Sequence, residues 1–115
     1  MKHLDLSKKA LEIFEKSVNK YHVIDKVDQK FNNPYSDKSI SNLLFKKNWI
    51  DTVQWHLEDI IRDPLIDSNK GMEIKRKIDL SNQKRTDLVE YIDNFFLNEF
   101  KKIKMKKNAT HNSET

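Results

Sequence analysis

Apolar side chains recur every three or four positions over most of this chain, a spacing that places them along one face of an α-helix. In the first such stretch they are Leu11, Phe14, Val18, Tyr21 and Ile24. This stretch predicts a helix over about residues 7–28, with Ser7 as its N-cap. The segment QKFNNPYSD that follows is rich in residues that favour turns, so we expect a loop there.

Two further stretches have the same periodicity. The second predicts a helix over about residues 38–63, ended by Pro64 because proline cannot continue a helix. Its core face holds Leu43, Ile50, Val53, Leu57, Ile60 and Ile61. The third, over about residues 69–104, carries Ile74, Ile78, Leu88, Val89, Ile92, Phe96, Phe100 and Ile103. We therefore predict an all-α fold, an antiparallel bundle of three long helices in a single domain over residues 1–104, followed by a flexible lysine-rich tail over residues 105–115.

The composition agrees with one small helical domain and excludes several functions. The 115 residues include one Gly, two Pro and no Cys, which excludes disulfides, thiolate nucleophiles and cysteine-bound zinc. The net charge is +4, but five lysines lie between residues 101 and 107. Without them the chain has 17 basic and 18 acidic residues. The body of the protein therefore lacks the basic surface that binds nucleic acid.

Neither an export signal nor an apolar stretch long enough to span a membrane is visible, so we expect a cytoplasmic protein with no membrane partner. The GxxxxGK[ST], GxSxG and HExxH motifs of well-known enzyme classes are also missing from the sequence.

Polar side chains interrupt the apolar face of the third predicted helix. Arg85 falls in the middle of that face, with Ser81 and Asn82 beside it. A guanidinium group is too costly to bury alone, so we expect a carboxylate opposite it on the second helix, either Asp51 or Glu58. The candidate polar site comprises Asp51, Gln54, Glu58, Asp79, Asn82, Arg85 and Asp87.

Three interpretations of this polar layer stay open. It can fix the register of the helices without any ligand, as buried polar residues do in helical bundles. It can contact a partner protein. It can instead belong to a metal site formed by Glu58, Glu90 and Asp93, because carboxylates that converge between helices bind Mg²⁺ or Mn²⁺. In that case Arg85 or Lys84 would stabilise the charge of a bound phosphate during attack by water.

Other polar and aromatic residues have simpler interpretations. His56, Asp59 and Asp63 share the side of the second helix that points away from its apolar face, and we expect them to face solvent. Trp49 and Trp55 are both expected to pack against apolar neighbours.

Two sequence segments, NWIDTVQWHLEDIIRDP and IDLSNQKRTDLVEYID, resemble segments of a known protein family. They are similar to a bacterial family known as domain of unknown function 4254, and the resemblance extends from about Tyr21 to Phe100. It implies an all-helical cytoplasmic protein. Members of the family usually continue into further apolar helices, so the resemblance implies that this chain lacks them. We therefore expect self-association, or docking of the missing helices, through Phe95, Phe96 and Phe100.

Our prediction is a structural or interaction module whose buried polar layer sets the helix register. The alternative is a magnesium-dependent hydrolase of nucleotides or related phosphate esters, acting through the acidic seam between the second and third helices. Glu90-x-x-Asp93 is similar to the ExxD element of the all-helical nucleotide pyrophosphohydrolases. The pair of glutamates three residues apart that those enzymes carry on the preceding helix is not reproduced, since only Glu58 and Asp59 stand there.

Overall fold

Three α-helices form this protein in a computed structural model, of which residues 3–113 are described. α1 spans His3–Ile24, α2 spans Ile40–Ile61 and α3 spans Ser68–Ser113. No strand occurs between residues 3 and 113. The predicted all-α fold is therefore confirmed.

Local backbone chemistry sets the ends of the first two helices. The Ser39 hydroxyl caps α2 by accepting a hydrogen bond from the Asn42 N–H at 3.1 Å. α1 stops before Asp25, whose φ of 56° lies in the left-handed region where a helix cannot continue. The predicted bounds of about 7–28 for this helix are thus wrong at both ends, because Ser7 lies inside the helix and Asp25 ends it.

α3 is longer than its sequence pattern predicts. It begins at Ser68, close to the expected residue 69, but continues to Ser113 instead of ending near residue 104. Lysine has a high helix propensity, and neither Gly nor Pro follows Gly71, so no helix-breaking residue stops α3 earlier. Residues 105–113 of the predicted tail are therefore helical, and residues 114 and 115 lie outside the described part of the chain. The mobility expected for this tail stays a prediction.

α2 is the central helix of the described chain: α1 and α3 both pack on it and do not pack on each other. α3 runs antiparallel to α2, as predicted. Gln54 contacts Ser81, whereas Asp51, one turn earlier on α2, contacts Arg85, one turn later on α3.

α1 and α2 run in the same direction, which differs from the predicted antiparallel arrangement. Ser17 Oγ donates to the Phe45 carbonyl at 3.4 Å. One turn further along both helices, Tyr21 packs edge-on against Trp49 with ring centroids 5.3 Å apart. The chain must therefore travel back along α1 before α2 begins.

Residues 25–39, here called the return segment, carry the chain back along α1. Lys20 Nζ holds the segment by donating to the Asn32 carbonyl at 2.8 Å. Two of its aromatic rings, Phe31 and Tyr35, pack against Phe45 with centroids 6.0 and 5.9 Å apart. The return segment thus supplies side chains to the core that α1 and α2 share.

The core lies where α1, the return segment and α2 meet. Its buried apolar residues are Ile13, Tyr21, Phe45 and Trp49. The packing predicted for Trp49 is confirmed, whereas Trp55 is 59% exposed because neither neighbouring helix covers its side of α2. On α1, Leu11 and Ile24 are mostly exposed, contrary to the predicted core face, since the face turned toward α2 is centred on Ser17.

α3 extends well beyond α2. Its 46 residues give a length of about 69 Å, against about 33 Å for the 22 residues of α2. The contact between Gln54 and Ser81 places the start of α2 level with about residue 95 of α3. Residues 96–113, here called the overhang, therefore have no other described helix beside them.

Candidate functional site

A hydrogen-bond network centred on the buried Gln54 joins α2 to α3. Gln54, only 8% exposed, donates through Nε2 to Asn82 Oδ1 at 2.7 Å. Its Oε1 accepts a longer hydrogen bond from the buried Ser81 hydroxyl at 3.4 Å. Glu58, one turn along α2, accepts from the same Nε2 at 3.4 Å. These four residues form the polar layer of the structure, and Gln54 is its centre.

Arg85 lies at the edge of this layer and not inside the core. Its side chain is 48% exposed, and its Nε lies 3.1 Å from Asp51 Oδ1. Lys47 Nζ approaches the other oxygen of Asp51 at 2.7 Å. The carboxylate partner expected for Arg85 is therefore present, but the expected burial is wrong, because the long side chain leads its charged end out to solvent. Exposed ion pairs of this kind stabilise a fold by less than about 1 kcal/mol.

The remaining predicted site residues of α3 lie outside the polar layer. Asp79, Asp87, Glu90 and Asp93 are all exposed. Asp87 accepts a hydrogen bond from Gln83 on its own helix at 3.1 Å. These carboxylates line the surface of α3 and none joins the network around Gln54.

Glu58, Glu90 and Asp93 do not come together. From the register of Gln54 and Ser81, Glu58 lies level with about residue 77 of α3, roughly 20 Å along the helix from Glu90. Among the described residues, one group of histidine and acidic side chains has metal-binding geometry, and its members are His22, Asp25 and His56. The contacts therefore give no support to the magnesium site predicted between α2 and α3.

His56 is half-buried against α1, although its position on α2 predicts a solvated side chain. Its ring stacks on Tyr21, with centroids 5.0 Å apart and planes 14° apart. The expectation fails because the helix that covers His56 comes from a separate part of the sequence. Asp59 and Asp63, on the same side of α2, are exposed as expected.

Two grooves flank this region. One, of about 640 Å³, lies between the end of α1, α2 and the start of α3, and its wall includes Tyr21, Asp25, His56, Lys70, Glu73 and Lys77. The other, of about 550 Å³, is mainly apolar and lies between the return segment, α2 and α3. Lys77 Nζ separates the two, 3.6 Å from both Asp28 and Glu73.

Tyr21 lines the first groove close to two carboxylates. Burial raises the pKa of the Tyr21 hydroxyl above its ordinary value of 10.0, and the charges of Asp25 and Asp28 raise it further.

The fold and the polar layer define a helical protein without a recognised catalytic motif. A family model described as protein of unknown function, DUF4254, matches residues 41–115, which cover α2 from its second residue onward and all of α3. The chain belongs to this family. The family match begins at Ser41 and reaches Thr115, whereas the resemblance seen in the sequence ran from about Tyr21 to Phe100. No curated protein and no solved structure matches the chain. No described helix combines the length and apolar character needed to cross a membrane.

Proposed function

We propose that this protein is a homotypic interaction module, in which the overhang of α3 pairs with the overhang of a second copy. The observation that carries the proposal is an apolar stripe on α3 that the described chain leaves exposed. The polar layer serves this function by fixing how α3 lies on α2. The absence of cysteine suits a reducing compartment, and we include the cytoplasmic location in the proposal.

The stripe follows one face of α3 for more than four turns. Val89, Phe96, Phe100 and Ile103 are separated by seven, four and three residues, the spacing of a helix-pairing seam. Their exposed fractions are 40%, 38%, 62% and 57%. Large apolar side chains in a continuous row on a soluble helix mark a surface that binds another protein.

The charges of α3 favour a second copy in antiparallel orientation. Residues 86–100 include Asp87, Glu90, Asp93 and Glu99 and no Lys or Arg. Residues 101–107 include five lysines and no acidic residue. Antiparallel pairing places the acidic segment of one copy beside the lysine segment of the other, with the two-fold axis near residue 100. Parallel pairing would set the two lysine segments side by side.

Sedimentation equilibrium over a range of concentrations tests the association. We expect a dimer that dissociates when Phe100→Glu places a charge in the stripe, while helical content is unchanged. Leu65→Glu is the matched control, because Leu65 is also an exposed apolar residue, at 90% against 62% for Phe100, and lies outside α3. A wild-type chain that stays monomeric at millimolar concentration would refute the proposal.

Single cysteines test the orientation, because the chain has none of its own. In the antiparallel dimer, Phe100→Cys lies near the two-fold axis and its two copies can form a disulfide. Val89→Cys then lies about 33 Å from its counterpart and does not cross-link. Cross-linking at both positions would instead show parallel pairing.

A further inference from the structure

We propose that His22, Asp25 and His56 bind a divalent transition-metal ion, with Zn²⁺ as the best match to this donor set. The three side chains come from the last turn of α1, the residue that ends it and the C-terminal third of α2. One ligand atom from each lies within 4.8 Å of the other two. His22 Nε2 and His56 Nε2 are each 4.0 Å from Asp25 Oδ1.

The neutral ring of His22 is held in the tautomer that a metal requires. Its Nδ1 lies 2.8 Å from the Val18 carbonyl oxygen, which can only accept a hydrogen bond. Nδ1 must therefore carry the proton, and in the neutral ring the lone pair is on Nε2. Nε2 is the atom that faces Asp25. A backbone carbonyl on the far nitrogen is the usual support of a metal-binding histidine.

His56 presents a buried nitrogen that has no hydrogen-bond partner. Its Nε2 is shielded from solvent and makes no hydrogen bond, although it points toward Asp25 and His22. Leaving a buried polar atom unpaired costs about 1–3 kcal/mol, so such an atom calls for an explanation. The ring is fixed by stacking on Tyr21. A metal ion between the three side chains would satisfy this nitrogen.

Asp25 reaches the two histidines because of the turn that it makes. Its left-handed backbone ends α1, and its N–H donates to the Tyr21 carbonyl at 2.9 Å. The carboxylate consequently lies beside the last turn of α1 and opposite the C-terminal third of α2. It supplies the negative charge that offsets part of the charge of a divalent ion.

Two imidazole nitrogens and one carboxylate oxygen match zinc better than magnesium or calcium, which prefer oxygen ligands only. Zinc bonds of about 2.0–2.1 Å place tetrahedral ligand atoms roughly 3.4 Å apart. The two histidine–Asp25 pairs, now 4.0 Å apart, must therefore approach by about 0.6 Å, and the pair of histidine nitrogens by at most about 1.4 Å. Rotations of the partly exposed His22 and Asp25 side chains supply this movement. Three protein ligands leave a fourth position, on the side of the 640 Å³ groove that Asp25 and His56 line.

Calorimetric titration of the metal-free full-length chain with zinc chloride tests the site. We expect one ion per chain and a rise in Tm on saturation, because the ion binds only the folded arrangement. Co²⁺ in place of Zn²⁺ should give the visible absorption of a four- or five-coordinate ion. His22→Gln should weaken binding by more than about tenfold, since even the loss of an outer partner of a metal-binding histidine has that effect.

Three matched variants keep the test decisive. Asp25→Asn replaces a ligand at nearly constant volume and should also weaken binding, whereas Asp59→Asn removes an exposed carboxylate from the same groove and should not. The double variant His3→Gln with His111→Gln removes the histidines outside the cluster and should bind as the wild type does. Circular dichroism establishes that each variant is folded.

Several outcomes would overturn the proposal. The first is zinc binding below one ion per five chains. The second is an equal affinity for zinc in the wild type and in folded His22→Gln and Asp25→Asn. The third is a loss of zinc binding in the double variant. The dimer of α3 is measured in the presence of a chelator, so failure of one proposal leaves the other standing.

Discussion

The Gln54 side-chain amide donates to Asn82 Oδ1 at 2.7 Å across the interface of α2 and α3. Because Gln54 is buried, a slip of one helix along the other would separate its amide from Asn82 and Ser81, the two hydrogen-bond partners that α3 provides. The contact therefore specifies one register of two helices whose apolar side chains alone would accept several.

Asn82→Ala tests how much this contact stabilises the fold. We expect the free energy of unfolding in urea to fall by about 1–2 kcal/mol, because the buried Gln54 amide loses its best acceptor. Gln83→Ala is the control: Gln83 is exposed and bonds only within its own helix, to Asp87, so its loss should change stability by less than about 0.5 kcal/mol. Equal effects of the two substitutions would contradict a specific role of the amide network.

Removing the charge of Arg85 should have a small effect. Arg85→Met keeps the apolar stem and abolishes the ion pair with Asp51, whose geometry is open to solvent. We expect a loss of less than about 1 kcal/mol that disappears in 1 M salt. A salt-independent loss above about 2 kcal/mol would show that the guanidinium is buried after all.

Phe45→Ala should destabilise the packing of α1 on α2 more than the packing of α3 on α2. Phe45 is fully buried and contacts the return segment, and replacing such a phenylalanine typically costs about 3–5 kcal/mol. Since α1 packs only on α2, hydrogen exchange should accelerate most in α1 and less around Ser81 and Leu88 of α3. Leu88→Ala, on the other side of α2, should give the reverse pattern. Uniform acceleration in both variants would show that the three helices unfold as one unit.

The raised pKa of Tyr21 predicts a loss of stability in alkaline solution. The folded chain holds the Tyr21 proton more tightly than the unfolded chain, where the pKa is close to 10.0. As the pH rises above about 10, the unfolded chain binds fewer protons than the folded one, so the free energy of unfolding falls. Tyr21→Phe, measured beside the wild type with a chelator present, should reduce this slope. An identical slope in both proteins would contradict the prediction.

The existence of three helices was predictable, because each has its own apolar periodicity, but the end of α3 was not, since no helix-breaking residue follows Gly71. A carboxylate beside Arg85 also follows from one rule, that a charge near an apolar face needs a partner, although the rule left Asp51 and Glu58 open as candidates. The exposure of Arg85 does not follow, since helical periodicity fixes where Cβ points and not where a long side chain ends.

The direction of α1 relative to α2 could not be predicted from the apolar periodicity. This direction depends on the return segment, where Phe31 and Tyr35 pack on Phe45. The sequence of this segment, with two Asn and one Pro, predicts only a loop. The histidine cluster could not be predicted for the same reason. His22 and His56 come together only because α1 and α2 run in the same direction. Their separation of 34 positions in the sequence offers no spacing signal.

The length of α3 fixes the distance between the polar layer and the dimer contact that we propose. An α-helix is stiff over tens of ångströms, and the polar layer at Ser81 lies about 28 Å from residue 100 along the helix. In the proposed dimer the two polar layers are therefore held roughly 57 Å apart, on either side of the two-fold axis. The number of residues in α3 sets this spacing, and because an added turn lengthens both copies, each one would increase it by about 11 Å.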